Sequence, residues 1–194
     1  DRWGRAAAGI LVSAAPMSFT FSMPYTEALF GALAFWALVA LIDRRWGWAA
    51  GLILLLGGTR LTAVALIAVF GLLVLLRARR DWRAWACLAL TPWLLLGHVA
   101  WASWHTRDVG GYFGIQAQGW HSGFDFGAAT VRWTWEVLTT GTDAGYFLTL
   151  AVMIVAVVSL IAAWGRMPAE VWWFAAILMA TVLLSDGIMH SRPR

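Results

Sequence analysis

Apolar residues run along this chain in long blocks, and arginines gather where the blocks end. The pattern predicts helices over Ala6–Ala15, Glu27–Ile42, Ala84–Trp104, Gly145–Trp164 and Glu170–Gly187, with a further apolar stretch over Trp46–Leu76. Ala6–Ala15 is too short to cross a bilayer alone, because a spanning helix needs about 20 residues.

Trp46–Leu76 lies between two basic clusters, Asp43-Arg44-Arg45 and Arg77 to Arg83, and carries one charge, Arg60. A single tilted helix would bury Arg60 at mid-membrane, at a cost of about 2.5–3.5 kcal/mol, and would put basic clusters on both sides. A turn at Gly57-Gly58-Thr59-Arg60 keeps both clusters on one side, as the positive-inside rule prefers, and the paired glycines suit it. The hairpin is therefore expected. Its arms reach about 21–24 Å at 1.5 Å per residue, short of the roughly 30 Å hydrocarbon core. The tip should lie below the outer surface, where Arg60 either snorkels to headgroups or meets water, a partner or an anionic ligand.

Pro16 to Glu27 interrupts the apolar pattern with two prolines, hydroxyls and an acid. Proline restricts helix on both sides of itself, so the next helix is expected to begin at Tyr25 or Thr26. Glu27 then falls in a first turn, where a carboxylate favours the positive helix end. The alternative is that Tyr25 and Glu27 border a polar cavity.

His105 to about Asp143 reads as one long polar loop, extracytoplasmic by the parity of crossings. Long loops in compact proteins usually serve function. Within it, Phe126–Leu138 is expected to form a short interfacial helix capped by Asp125, with Trp133 and Trp135 in an aromatic belt.

Composition sharpens this picture. The chain is 61% hydrophobic and 12% charged, about half the charge of an average soluble domain. That predicts a polytopic membrane protein of about six spanning helices plus one partial, forming a single domain over residues 1–194. The net charge of +4 is no nucleic-acid signal, because the arginines punctuate helix ends and form no stripe. Nine arginines fall on the expected cytoplasmic side and five (60, 107, 132, 192 and 194) outside. Cys87 is the single cysteine, so no disulfide forms within the chain.

No soluble-enzyme motif is present: no Walker loop, no Gly-x-Ser-x-Gly and no His-Glu-x-x-His. His105 and His121 share a loop with Asp108 and Asp125, but their spacing fits no standard metal site, and none is assigned. His98 is expected as a hydrogen-bonded residue within a helix. The remaining signal is convergence. Glu27, Arg60, the 105–143 loop, Asp186, His190 and Arg192 map to one face, with carboxylates and histidines able to serve as bases and arginines able to hold phosphate. This suits a lipid-linked phosphate substrate entering from the outer leaflet. An ordinary polar outer surface is the alternative.

The run from Pro16 to Phe30, with its Pro, Ser and Tyr25-Thr26-Glu27-Ala28-Leu29-Phe30, resembles the Pro…Ser…Tyr-(Ser/Thr)-Glu-x-Leu-Phe signature of PIG-V-type mannosyltransferases and their actinobacterial relatives. Gly57–Arg60, Gln116-x-Gln118-x-Trp120, Phe124–Gly127 and Ser191–Arg194 support the resemblance, which covers nearly all of this chain and about the middle half of a typical member. It implies a GT-C fold and an inverting transferase in the bacterial plasma membrane, active on its extracytoplasmic face. The donor would be polyprenyl-phosphate-mannose and the acceptor a lipid, glycan or protein. It implies no cofactor. The family's catalytic acid lies in a loop expected upstream of Asp1, so the chain is expected to be an internal fragment and no catalytic residue is assigned. Tyr25, Glu27, Arg60, Gln116, Trp120 and Arg192 carry over as substrate-binding candidates. A transporter or flippase for a lipid-linked substrate is the alternative function. It would need polar residues spread through the membrane depth, and the apolar blocks offer little beyond His98.

Overall fold

The computed structural model describes residues 2–13, 26–120 and 123–186. Among these, the chain is helical apart from one isolated antiparallel bridge, Phe124 to Ser185. Ten helices follow in order: α1 (Arg2–Ser13), α2 (Glu27–Ile42), α3 (Trp46–Gly57), α4 (Val64–Arg77), α5 (Trp82–Leu90), α6 (Trp93–His105), α7 (Gly111–Trp120), α8 (Ala128–Thr140), α9 (Ala144–Ala162) and α10 (Ala169–Leu183). Pro16 to Tyr25, where the sequence predicts a break, lies outside the described residues.

The core is built on α2, α3 and α4. One face of α2 presents Ala34, Ala37, Leu38 and Leu41 at helical spacing, and α3 answers with Ala49, Ala50, Ile53 and Leu56, all buried. Small residues on both faces let the backbones approach closely, the packing mode of helices in lipid. Leu66, Val69, Phe70 and Val74 of α4 complete the cluster, and Phe70 stacks on Trp46 with ring centroids 5.7 Å apart. Helix α10 closes one side with Trp173, Phe174 and Ile177.

The expected hairpin forms. Helix α3 ends at Gly57, the chain turns through Gly58 and Thr59, and Leu61–Ala63 leads into α4. Thr59 Oγ1 donates 2.7 Å to the Leu56 carbonyl and ties the turn to the last residues of α3. The α2–α3 turn is a Schellman motif: Arg45 N–H donates to Ala40 O and Arg44 N–H to Leu41 O. Arg44 takes the left-handed position at φ 56°, where glycine is usual.

The predicted helix over Ala84–Trp104 extends to Trp82 and His105 and is broken at Thr91-Pro92 into α5 and α6. Proline lacks the N–H that would continue the ladder. Thr91 is fully buried and donates 2.7 Å to Leu88 O. The largest departure from expectation is in 105–143. The expected helix over Phe126–Leu138 forms as α8, but α7 also forms where loop is expected.

Two segments, Trp82–His105 and Ala144–Ala162, are long and apolar enough to cross a membrane. Glu27–Ile42, Trp46–Gly57, Leu61–Arg77 and Ala169–Leu183 are apolar but shorter. Only 11% of each long apolar window is buried within the protein, so these surfaces face outward.

The two ends of the bundle differ in charge. The 43–45 turn, the 78–81 turn and the start of α10 share one end, where Arg77 at the close of α4 bonds Glu170 in the first turn of α10. Glu170 is 4% exposed. Acid at a helix start and base at a helix end both complement the helix dipoles. The 58–60 turn and the start of α2 lie at the opposite end.

Gly57 packs against backbone: an added Cβ would sit 3.0 Å from Leu95 Cβ and 3.1 Å from Leu95 N. At Gly58 the nearest atom is instead the tip of the Leu94 side chain, at 2.9 Å. Gly57→Val is expected to destabilise the protein by about 1–3 kcal/mol, and Gly58→Val by less, because a side-chain tip yields where a backbone does not. Thermal unfolding of both variants in detergent checks the order.

Candidate functional site

Two of the substrate-binding candidates meet. Arg60 Nη1 and Glu27 Oε1 form an ion pair at 2.9 Å. Each is placed by a local feature of sequence. Glu27 opens α2 behind Thr26, and its carboxylate lies in the positive field of the helix start. Arg60 is the extended residue that follows the glycine turn, with φ −154° and ψ 150°, and it leads into the Leu61–Ala63 turn. A break in one helix and a break in another thus bring opposite charges together.

The acid of the pair is shielded and the base is exposed. The Glu27 side chain keeps 18% of its exposure and Arg60 keeps 40%. Glu27 Oε2 is buried and accepts no hydrogen bond. A carboxylate oxygen without a donor is costly in a low-dielectric site. The pair therefore retains one unused acceptor, while Arg60, through its partial exposure, retains N–H donors facing outward.

Depth follows from the contacts of the turn. Gly57 and Gly58 touch Leu95 and Leu94, near the start of α6, and α6 continues to His105. The turn therefore meets α6 about 15 Å short of its end, at 1.5 Å per residue. The last ten residues of α6 continue past the turn.

Helix α7 folds against this part of α6. The Tyr112 ring meets His98 edge-on at 6.3 Å, and Tyr112 N–H donates 3.3 Å to Ser103 Oγ. His105 Nδ1 lies 2.9 Å from Trp101 O, and the Arg107 guanidinium covers Trp104 at 5.4 Å. Gln118 Nε2 donates to Val109 O at 3.2 Å and so braces the start of α7. Gln116 is partly buried on α7 and makes no hydrogen bond to Glu27 or Arg60 among the described residues. Trp120 ends α7. Tyr25 and Arg192 lie outside the described residues, as does His190.

The segment before α8 is pinned to the end of α10. Asp125 N–H donates to Leu184 O at 3.2 Å, Asp186 N–H to Gly123 O, and Thr130 Oγ1 to Leu183 O at 2.7 Å. Gly127 adopts φ 87°, and a Cβ there would lie 3.2 Å from Leu183 O. Asp125 serves the start of α8 from two residues before the cap position, which is Gly127: Oδ2 accepts from Ala129 N–H and Oδ1 from Gly127 N–H. Because α10 runs antiparallel to α4, its end lies on the Glu27–Arg60 side. The pinned strand and the ion pair thus share one end of the bundle. Sequence reasoning placed these segments on a common face but gave no sign of the bridge, whose bonds are backbone and carry no residue signature.

No group of three or more metal-ligating side chains occurs among the described residues. No protein-family model, curated protein or solved structure matches this chain.

The pair should be energetically coupled. A double-mutant cycle on Glu27→Ala and Arg60→Ala is expected to give about 1–2 kcal/mol of interaction, above the roughly 0.2–1 kcal/mol of an exposed pair. Unfolding of the four proteins in detergent measures it, and a value near zero means that the pair does not hold in solution.

Proposed function

We propose that this chain is part of an integral-membrane, inverting GT-C mannosyltransferase that moves mannose from a polyprenyl-phosphate donor to an extracytoplasmic acceptor. The observation that carries the reading is the Glu27–Arg60 pair at a turn sunk about 15 Å below the end of α6. A cation held at that depth is suited to an anionic group on a lipid. Outward-facing apolar helices support the membrane location. The separation of the 43–45 and 78–81 turns from the Glu27–Arg60 end supports an orientation with the pair outward.

In this reaction an acceptor hydroxyl attacks the anomeric carbon of mannose from the face opposite the phosphate. The carbon–oxygen bond to phosphate breaks, and the lipid phosphate leaves with the electron pair. The hydroxyl proton passes to a base that is not among the candidate residues. Arg60 stabilises charge on the departing phosphate as a positioned donor. Glu27 aims Arg60, and so acts as a positioning residue. Neither the acceptor class nor the lipid length follows from these residues.

Membranes carrying the full-length protein and labelled polyprenyl-phosphate-mannose test the reading. Arg60→Ala is expected to lower transfer by about 10²–10³-fold with unchanged expression. Unchanged transfer removes Arg60 from the mechanism. Movement of the intact lipid across proteoliposomes without transfer would favour a flippase.

A further inference from the structure

The sequence predicts a hydrogen-bonded histidine at His98, yet among the described residues its ring makes no hydrogen bond. The ring meets Tyr112 edge-on at 6.3 Å and the residue is exposed. Between Arg83 and His105 it is the one side chain that can carry positive charge, in a segment long and apolar enough to cross a membrane. An ionisable side chain in such a segment is costly in lipid and is kept where water, a partner or a ligand meets it.

Its place on α6 ties it to the Glu27–Arg60 turn. Gly58 packs against the Leu94 side chain, and His98 lies four residues further along the helix. Residues four apart share a helix face. Helical side chains lean towards the start of their helix, so the His98 ring leans back towards Leu94 and the turn. Helix α3 ends at Gly57, so it no longer stands beside α6 at the level of His98. Tyr112, itself held by its N–H bond to Ser103 Oγ at 3.3 Å, backs the ring without using its nitrogens. We infer that His98 is a second contact for the lipid-linked phosphate at Arg60, donating a ring N–H to one of its oxygens. Two donors on neighbouring elements suit a group with several acceptor oxygens and a negative charge. The inference rests on the lipid-phosphate substrate proposed above, but not on sugar transfer.

Binding of polyprenyl phosphate and of uncharged polyprenol to the purified full-length protein in detergent tests it, alongside transfer by membranes. The wild type is expected to prefer the phosphate. His98→Phe keeps a ring against Tyr112 but has no N–H, and is expected to weaken phosphate binding about tenfold or more while leaving polyprenol unchanged. His98→Gln loses the ring but keeps a donor, and is expected to retain most of the binding. A histidine that only packs against Tyr112 gives the opposite order. That order overturns the inference, as do equal losses in the two variants, no loss in either, or a wild type that binds phosphate and alcohol alike. If His98→Phe does not fold, His98→Gln decides alone, because a packing role predicts its loss. Phosphate binding that depends on His98 without any mannose transfer overturns the transferase reading and leaves this contact standing. Transfer with an unchanged KM in His98→Phe does the reverse.

Discussion

The approach of Gly57 to the backbone of Leu95 is the constraint from which the rest of this architecture follows. It sets how far the α3–α4 hairpin reaches along the α5–α6 helix. A bulkier residue would push the turn away from α6 and shift Arg60 with it. Because the contact is backbone against backbone, little side-chain adjustment is available to absorb such a change. The depth of the Glu27–Arg60 pair is therefore a consequence of close packing between apolar helices and owes little to electrostatics.

The bundle carries an ion pair at each end. Glu170 with Arg77 is the more buried of the two and joins α10 to α4 where helix dipoles favour both charges. Glu27 with Arg60 is more open and leaves a carboxylate oxygen unsatisfied. The first arrangement resembles a fastening, since the acid's surroundings are closed. The second leaves a buried carboxylate oxygen unused beside an exposed guanidinium. The difference in satisfaction separates their roles more clearly than the charges themselves.

The 105–143 region shows why a polar composition need not mean a loop. Gly111, Gly114 and Gly119 add to this, since glycine disfavours helix by about 1 kcal/mol against alanine. Helix α7 forms nonetheless. Its Tyr112 ring packs on His98 and its first N–H groups find Ser103 and Thr106. Packing on α6 offsets the local preference. Asp125 was legible as a partner for the start of α8 because carboxylates commonly satisfy free N–H groups at a helix start. Its attachment to the end of α10 was not, because that attachment joins residues about 60 positions apart through main-chain bonds.

Composition and the placement of arginines alone determined the helical class, the boundaries of Glu27–Ile42 and the turn at Gly57–Arg60. Those features depend on local rules: apolar blocks make helices, prolines and paired glycines end them, and charge avoids a low-dielectric interior. Tertiary structure decided that Glu27 meets Arg60, that Arg77 meets Glu170, and that the segment before α8 clasps the end of α10. Each of these joins distant parts of the chain. Side-chain pairing across such distances depends on the depth and rotation of packed helices, and no single residue type reports either.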